Sequence, residues 1–168
     1  YTTREILKIK KTHPQHWNRI KEKVSWQESE IDKWNQIATQ IHFPRHPEND
    51  IFLQQDDFLD KTIIPASTID KSERPINQHW SWDRILRSPF IKQADVLQGL
   101  YLFEENFDYE FIKKHFDFYE PLTVHESSLS ACVHSILASR LGRIEKAYSL
   151  YLRTCLLYTS PSPRDVIQ

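Results

Sequence analysis

Two short stretches carry the side chains with the most evident capacity for chemistry. Pro75-Ile76-Asn77-Gln78-His79-Trp80-Ser81-Trp82-Asp83-Arg84 gathers amide, imidazole, indole and charged groups ahead of a helical segment. Phe90-Ile91-Lys92-Gln93-Ala94-Asp95 puts an ammonium and an amide where another helix begins. Sugar recognition calls for this mixture, because hydroxyls demand paired donors and acceptors and the apolar face of a pyranose suits an aromatic platform. The same groups also serve as buried structural polar residues, and composition does not choose between the two uses.

Other chemistries find less support. His42 and His46 have i, i+4 spacing, but Pro44 breaks the helix that would bring them onto one face as metal ligands. Asp56, Asp57 and Asp60 could supply an acid or base, although adjacent acids in loops more often face solvent or cap helices. There is no Gly-rich phosphate loop, no GxSxG and no HExxH. Cys132 lies in the apolar run Ala131-Cys132-Val133 and reads as a small buried hydrophobe. As a nucleophile it would need a base, and His134 two residues on points away from it on a helix.

The elements that hold these groups read as helices. The chain has 168 residues, about one domain by length, with 22 Lys and Arg against 23 Asp and Glu. A net charge of -1 disfavours a nucleic-acid-coating protein, and no apolar run reaches the roughly 20 residues that cross a bilayer. Gly occurs only at 99 and 142 while aromatics reach 12%, which leans towards helices and away from a turn-rich sandwich. Apolar spacing predicts a helix over 1–11 bearing Ile6, Leu7 and Ile9, then a stretch bearing Trp17, Ile20 and Val24. Ser25-Trp26-Gln27-Glu28 has the form of a capping box opening a helix with Ile31, Trp34, Ala38 and Ile41, the Trp residues packing in the core. Five prolines between 42 and 90 leave a long connection with short elements, a place to look for the wall of a site. Helices return from Ile91, with Asp108 as one N-cap, Ser127 or Ser128 as another, and Gly142 just past a helix end. The expected class is all-α, and periodicity cannot decide between an open solenoid and a closed toroid.

Both ends invite comment. A frame with no Met cannot start inside this sequence, so either a processed precursor or an internal piece is expected. Cys155 to Asp165 resembles one reading frame of a transposon-end sequencing adapter, and the helical pattern is read as stopping at Thr154. The expected division is therefore a partial catalytic domain over 1–154 and a non-native tail over 155–168. Without Cys155 a single thiol remains, which excludes an internal disulfide and is compatible with cytosol.

Five strings together resemble a known family: Asp50 to Asp56, Phe58 to Lys61, Arg74 to Arg84, Ile91 to Tyr101 and Thr123 to Ser130. They are similar to the inverting disaccharide phosphorylases of glycoside hydrolase family 65, and Gln78 to Arg84 is closer to the maltose branch than to the trehalose or kojibiose branches. The resemblance runs from Tyr1 to about Arg153. It implies part of an (α/α)6 toroid, incomplete over this length, and cleavage of maltose by inorganic phosphate to glucose and β-glucose 1-phosphate. Lys92 and Gln93 match the family's pair that contacts the transferred glucosyl unit. His125 and Glu126 lie in a motif facing the same cleft and are weaker candidates, the alternative being that they anchor the loop before the next helix.

The resemblance also implies what lies elsewhere. The family's general acid belongs to a Glu-Tyr motif upstream of the point matched by Tyr1, and its phosphate-binding residues lie downstream. No catalytic residue and no metal ligand is therefore expected within this chain, which by itself should be inactive. No cofactor is implied beyond phosphate as co-substrate. The implied partners are a disaccharide and phosphate, with no nucleic acid and no membrane, in a cytoplasmic protein that leaves room for a homodimer. The competing readings are phosphorolysis or hydrolysis of trehalose, kojibiose or nigerose on the same scaffold, and a non-catalytic helical carbohydrate-binding module.

Overall fold

The computed structural model describes residues 1–159. Most of the tail expected to be non-native, residues 160–168, lies outside the described residues. The chain divides into two compact units, Tyr1–Phe43 and Pro44 onward. Among the described residues there is no strand, only the isolated bridges Arg45–Phe52 and Ile91–Thr123, in accord with the all-α expectation.

The first unit holds α1 (Thr2–Thr12), α2 (Pro14–Lys23) and α3 (Ser29–Gln40). Pro14 sits in the first turn of α2, where the missing N–H costs no intrahelical bond. Trp17 is buried, and Trp26 meets both Trp17 and Trp34 edge-on with centroids 5.2 and 5.5 Å apart. These rings are core, as expected from their spacing, although Leu7 and Val24 are exposed. The capping box does not form. Ser25 has a left-handed φ of 50°, α3 begins four residues later, and the Glu28 carboxylate turns to Lys10 Nζ at 2.7 Å. The reciprocal role shifts two residues on, where Glu30 Oε1 accepts from the Gln27 N–H at 2.9 Å.

In the second unit the long connection contains α4 (Ile76–His79) and α5 (Trp82–Arg87), followed by α6 (Asp95–Leu102), α7 (Tyr109–Tyr119), α8 (Ser128–Arg140) and α9 (Ile144–Thr159). Leu97, Phe116, Tyr119 and Leu137 form a fully buried centre. The Asp108 carboxylate caps α7 by accepting from the Phe111 N–H at 2.8 Å, and Gly142 supplies the φ of 73° that ends α8, both as the sequence predicts. From this turn α9 packs back along α8, and Ser135 Oγ donates to the Ala147 carbonyl at 2.8 Å.

Two expectations fail here. Cys132 is exposed, because α8 turns Ala131, His134 and Ala138 inward and Cys132 lies about 100° round from Ala131. The α9 helix does not stop at Thr154 but runs on through Thr159. Leu156, Leu157 and Tyr158 offer no break, and the first proline is Pro161.

The proline-rich connection is tied to this core through its backbone. The Phe52 N–H donates to His115 Nε2 at 2.8 Å, while the Tyr119 hydroxyl donates to the Phe52 carbonyl at 2.7 Å. His115 Nδ1 then carries the proton and donates to the Phe111 carbonyl at 2.7 Å. Burial lowers the His115 pKa, which keeps the ring in the neutral form that this pair of bonds needs. His46 serves the same connection locally, its Nδ1 facing the Glu48 and Asn49 N–H groups at 3.2 and 3.4 Å.

Candidate functional site

The local pairing of two segments assembles the candidate site. The Ile91 N–H donates to the Leu122 carbonyl and the Val124 N–H to the Ile91 carbonyl, each at 3.0 Å. This short parallel pairing sets Lys92-Gln93 beside His125-Glu126-Ser127, two stretches more than thirty residues apart in sequence. Gln93 Nε2 completes the connection by donating to Ser127 Oγ at 3.3 Å.

Lys92 and Gln93 line an open cleft of about 270 Å³. Its other walls include Gln54, Gln55, Lys61 and Trp82, so the proline-rich connection does supply a wall. Lys61 lies 5.2 Å from the Phe58 ring centroid and donates to the Leu86 carbonyl at 2.8 Å, and desolvation lowers its pKa. Trp82 is 74% exposed and presents its indole at this cleft. The cleft thus combines ammonium, amide and aromatic groups, the set that sugar hydroxyls and a pyranose face require.

Within the Pro75 to Arg84 cluster, Trp80, Ser81 and Arg84 serve as scaffold, while Asn77, Gln78 and His79 are exposed. Trp80 packs on Phe90 with centroids 5.7 Å apart, and the Arg84 guanidinium lies 3.7 Å over the Trp80 ring. Arg84 also pairs with Glu73 at 2.8 Å, and Ser81 Oγ caps α5 by accepting from the Arg84 N–H at 3.2 Å. Asp56, Asp57 and Asp60 are exposed. Among the described residues no group of three His, Cys, Asp or Glu side chains is placed to hold a metal.

His125 and Glu126 do not line this cleft. His125 is 6% exposed and has a left-handed φ of 53°, which turns the chain between the paired segment and α8. Its Nδ1 is hydrogen-bonded to Ser130 Oγ at 3.1 Å, and its Nε2 faces Glu120 Oε1 at 3.8 Å. The His125 imidazole and the Lys146 ammonium, the latter at 2.7 Å, hold the Glu120 carboxyl down at about 2. Glu126 Oε2 accepts from the Ile76 N–H at 3.0 Å, whereas Oε1 is buried with no hydrogen-bond partner among the described residues. Glu126 therefore pins the segment that follows the cis Arg74–Pro75 peptide.

His134 backs this group edge-on to His125, with centroids 4.6 Å apart, and its Nδ1 donates to the Ser130 carbonyl at 2.8 Å. Burial, then the neighbouring His125, lowers its pKa to about 4 from an ordinary 6.5. A depressed folded pKa means that the unfolded chain binds the proton more readily. The stabilisation is therefore present above pH 6.5 and lost as pH falls through about 4. The urea midpoint of the 168-residue chain is expected to fall across that window, and His134→Leu to flatten the fall.

Sequence reasoning did not single out Gln54, Gln55, Lys61 or Ser127 as site residues. The proline pattern of the connection was the available signal for the first three, and for Ser127 there was only its place in the motif.

Comparison with known proteins places this architecture. The model of the glycosyl hydrolase family 65 central catalytic domain matches residues 1–164. A maltose phosphorylase of Bacillus subtilis is 53% identical over 131 residues, 78% of this chain and 17% of that protein. An α,α-trehalose phosphorylase of Thermoanaerobacter brockii is 37% identical over 147 residues, 88% of this chain and 19% of its own length. A solved structure assigned as a kojibiose phosphorylase from the human microbiome superposes with a TM-score of 0.81 at 32% identity, covering 93% of this chain and 22% of that one. The chain thus spans less than a fifth of the length of these two curated relatives. Its all-α fold is part of an (α/α)6 toroid, and the chain belongs to glycosyl hydrolase family 65, within the central catalytic domain.

Proposed function

We propose that the longer protein of which this chain forms a part is a maltose phosphorylase, converting maltose and inorganic phosphate to glucose and β-glucose 1-phosphate with inversion. One observation carries the reading: identity is 53% to a maltose phosphorylase, against 37% to a trehalose and 35% to a kojibiose phosphorylase. In an inverting displacement a carboxylic acid protonates the leaving oxygen while the nucleophile attacks the opposite face of the sugar. Phosphate is a competent anion at neutral pH, so one catalytic carboxyl suffices where an inverting hydrolase needs two. Within this chain Lys92 donates to hydroxyls of the transferred glucosyl unit, and the Gln93 amide both donates and accepts. His125 and Glu126 do not line the cleft, and Glu126 is not the general acid.

The reading includes no cofactor beyond phosphate as co-substrate and a cytoplasmic site of action. No helix among the described residues is long and apolar enough to cross a membrane. The test compares maltose, trehalose, kojibiose and nigerose as substrates of the purified longer protein, with and without phosphate. Phosphate-dependent release of glucose 1-phosphate with maltose preferred is expected, and the 168-residue chain alone should release none. Equal sugar release without phosphate would assign hydrolysis, and preference for another disaccharide would reassign the substrate.

A further inference from the structure

Ser127 occupies the N-cap of α8, a position where a serine hydroxyl ordinarily accepts a bond from the backbone two or three residues on. Among the described residues it makes no capping hydrogen bond. Its Oγ instead accepts the Gln93 amide from the other segment at 3.3 Å. The hydroxyl's position is set from both sides. Upstream, Glu126 is tied to the Ile76 N–H, and Val124 is paired with Ile91. Downstream, the Ser127 carbonyl already accepts the first helical bond from Ala131.

Gln93 needs such a hold. Its side chain is half-buried between the open cleft and a small crevice lined by Gln98, Leu129, Ser130, Val133 and His134. A glutamine amide has two ends of opposite hydrogen-bonding character, and rotation by half a turn exchanges them. With the nitrogen end engaged by Ser127, the carbonyl oxygen is the end free to accept from a sugar hydroxyl.

We propose that Ser127 is a positioning residue for the phosphorylase reaction, orienting the Gln93 amide so that its carbonyl oxygen accepts from the bound sugar. The inference rests on the reading above that Gln93 contacts the sugar. It separates Ser127 from the ordinary cap that its sequence position suggests. Loss of the hold should weaken sugar binding without unfolding α8, since no capping bond is removed.

The experiment is a double-mutant cycle in the longer protein, on the disaccharide it consumes, with kcat, KM and the thermal unfolding midpoint measured for each variant. Ser127→Ala should lower kcat/KM roughly fivefold, the scale of one net hydrogen bond, chiefly through KM and with an unchanged midpoint. Ser127→Thr, which keeps the hydroxyl, should restore it. In a Gln93→Ala background the second change should cost nothing further. Wild-type kinetics for Ser127→Ala, an additive loss in the double variant, or a loss that follows a lowered midpoint would each overturn the proposal. If Gln93→Ala itself leaves kcat/KM intact, the sugar-contact reading fails and takes this inference with it. If Gln93→Ala is impaired and Ser127→Ala is not, this inference alone falls.

Discussion

Lys92→Met in the longer protein is expected to lower kcat/KM for maltose roughly 10- to 100-fold while leaving the unfolding midpoint unchanged. Methionine keeps most of the stem and removes the ammonium. A hydrogen bond from a charged donor contributes about 1.5–3 kcal/mol, and each 1.36 kcal/mol is about tenfold in rate. The split between activity and stability follows from the environment. Lys92 is exposed at the cleft, and among the described residues it makes no hydrogen bond or ion pair that the fold would lose. Steady-state kinetics beside thermal unfolding checks both halves. A variant with near-normal kcat/KM would remove Lys92 from the sugar site, and one that also unfolded early would make it structural.

The second large effect concerns the support beneath the cleft. His115→Ala is expected to destabilise the 168-residue chain by about 3 kcal/mol, combining a cavity in the core with loss of the partner of a part-buried N–H. The side chain is fully buried, and it holds the Phe52 N–H at 2.8 Å, sixty-three residues away in sequence. Gln54, Gln55 and Phe58 follow closely on Phe52, so the cleft wall they form should loosen as well. His115→Gln, which can still accept a hydrogen bond, should lose less. Urea unfolding with limited proteolysis of the connection reads both effects. Equal stability of His115→Ala and the unmutated chain would show that Tyr119 alone suffices to hold Phe52.

These two residues differ in how far the sequence announced them. Lys92 sits in a string that reads as a recognition motif, and its chemical type needs no partner to be interpreted. His115 stands in no motif that the sequence marks out. Its role depends on Phe52, and no local rule connects a residue on a helix to one in a proline-rich loop so far away. The same holds for Gln93 and Ser127, which motif reading places in separate strings and the fold joins by one hydrogen bond. Caps were legible where one carboxylate met one helix start, as at Asp108, and failed where the side chain engages a residue of another segment. Lys10 captured Glu28 and Gln93 captured Ser127, so both left the capping roles that spacing assigned them. Cys132 was misjudged for a related reason: an apolar neighbourhood in sequence does not say which face of a helix points inward.

What the sequence by itself determined is the all-α class, the places of several helices and the proline-rich connection. Each of these depends on residue type and on spacing within a few positions, and such local preferences act wherever the segment lies. What the tertiary structure decided is which residues share the cleft: Gln54, Gln55, Lys61 and Trp82 on its walls, with His125 and Glu126 outside it. That division is set by the Ile91–Val124 pairing and by the bonds of His115 and Tyr119 to Phe52. These contacts form between segments distant in sequence, and it is the packing of the whole core that makes them favourable.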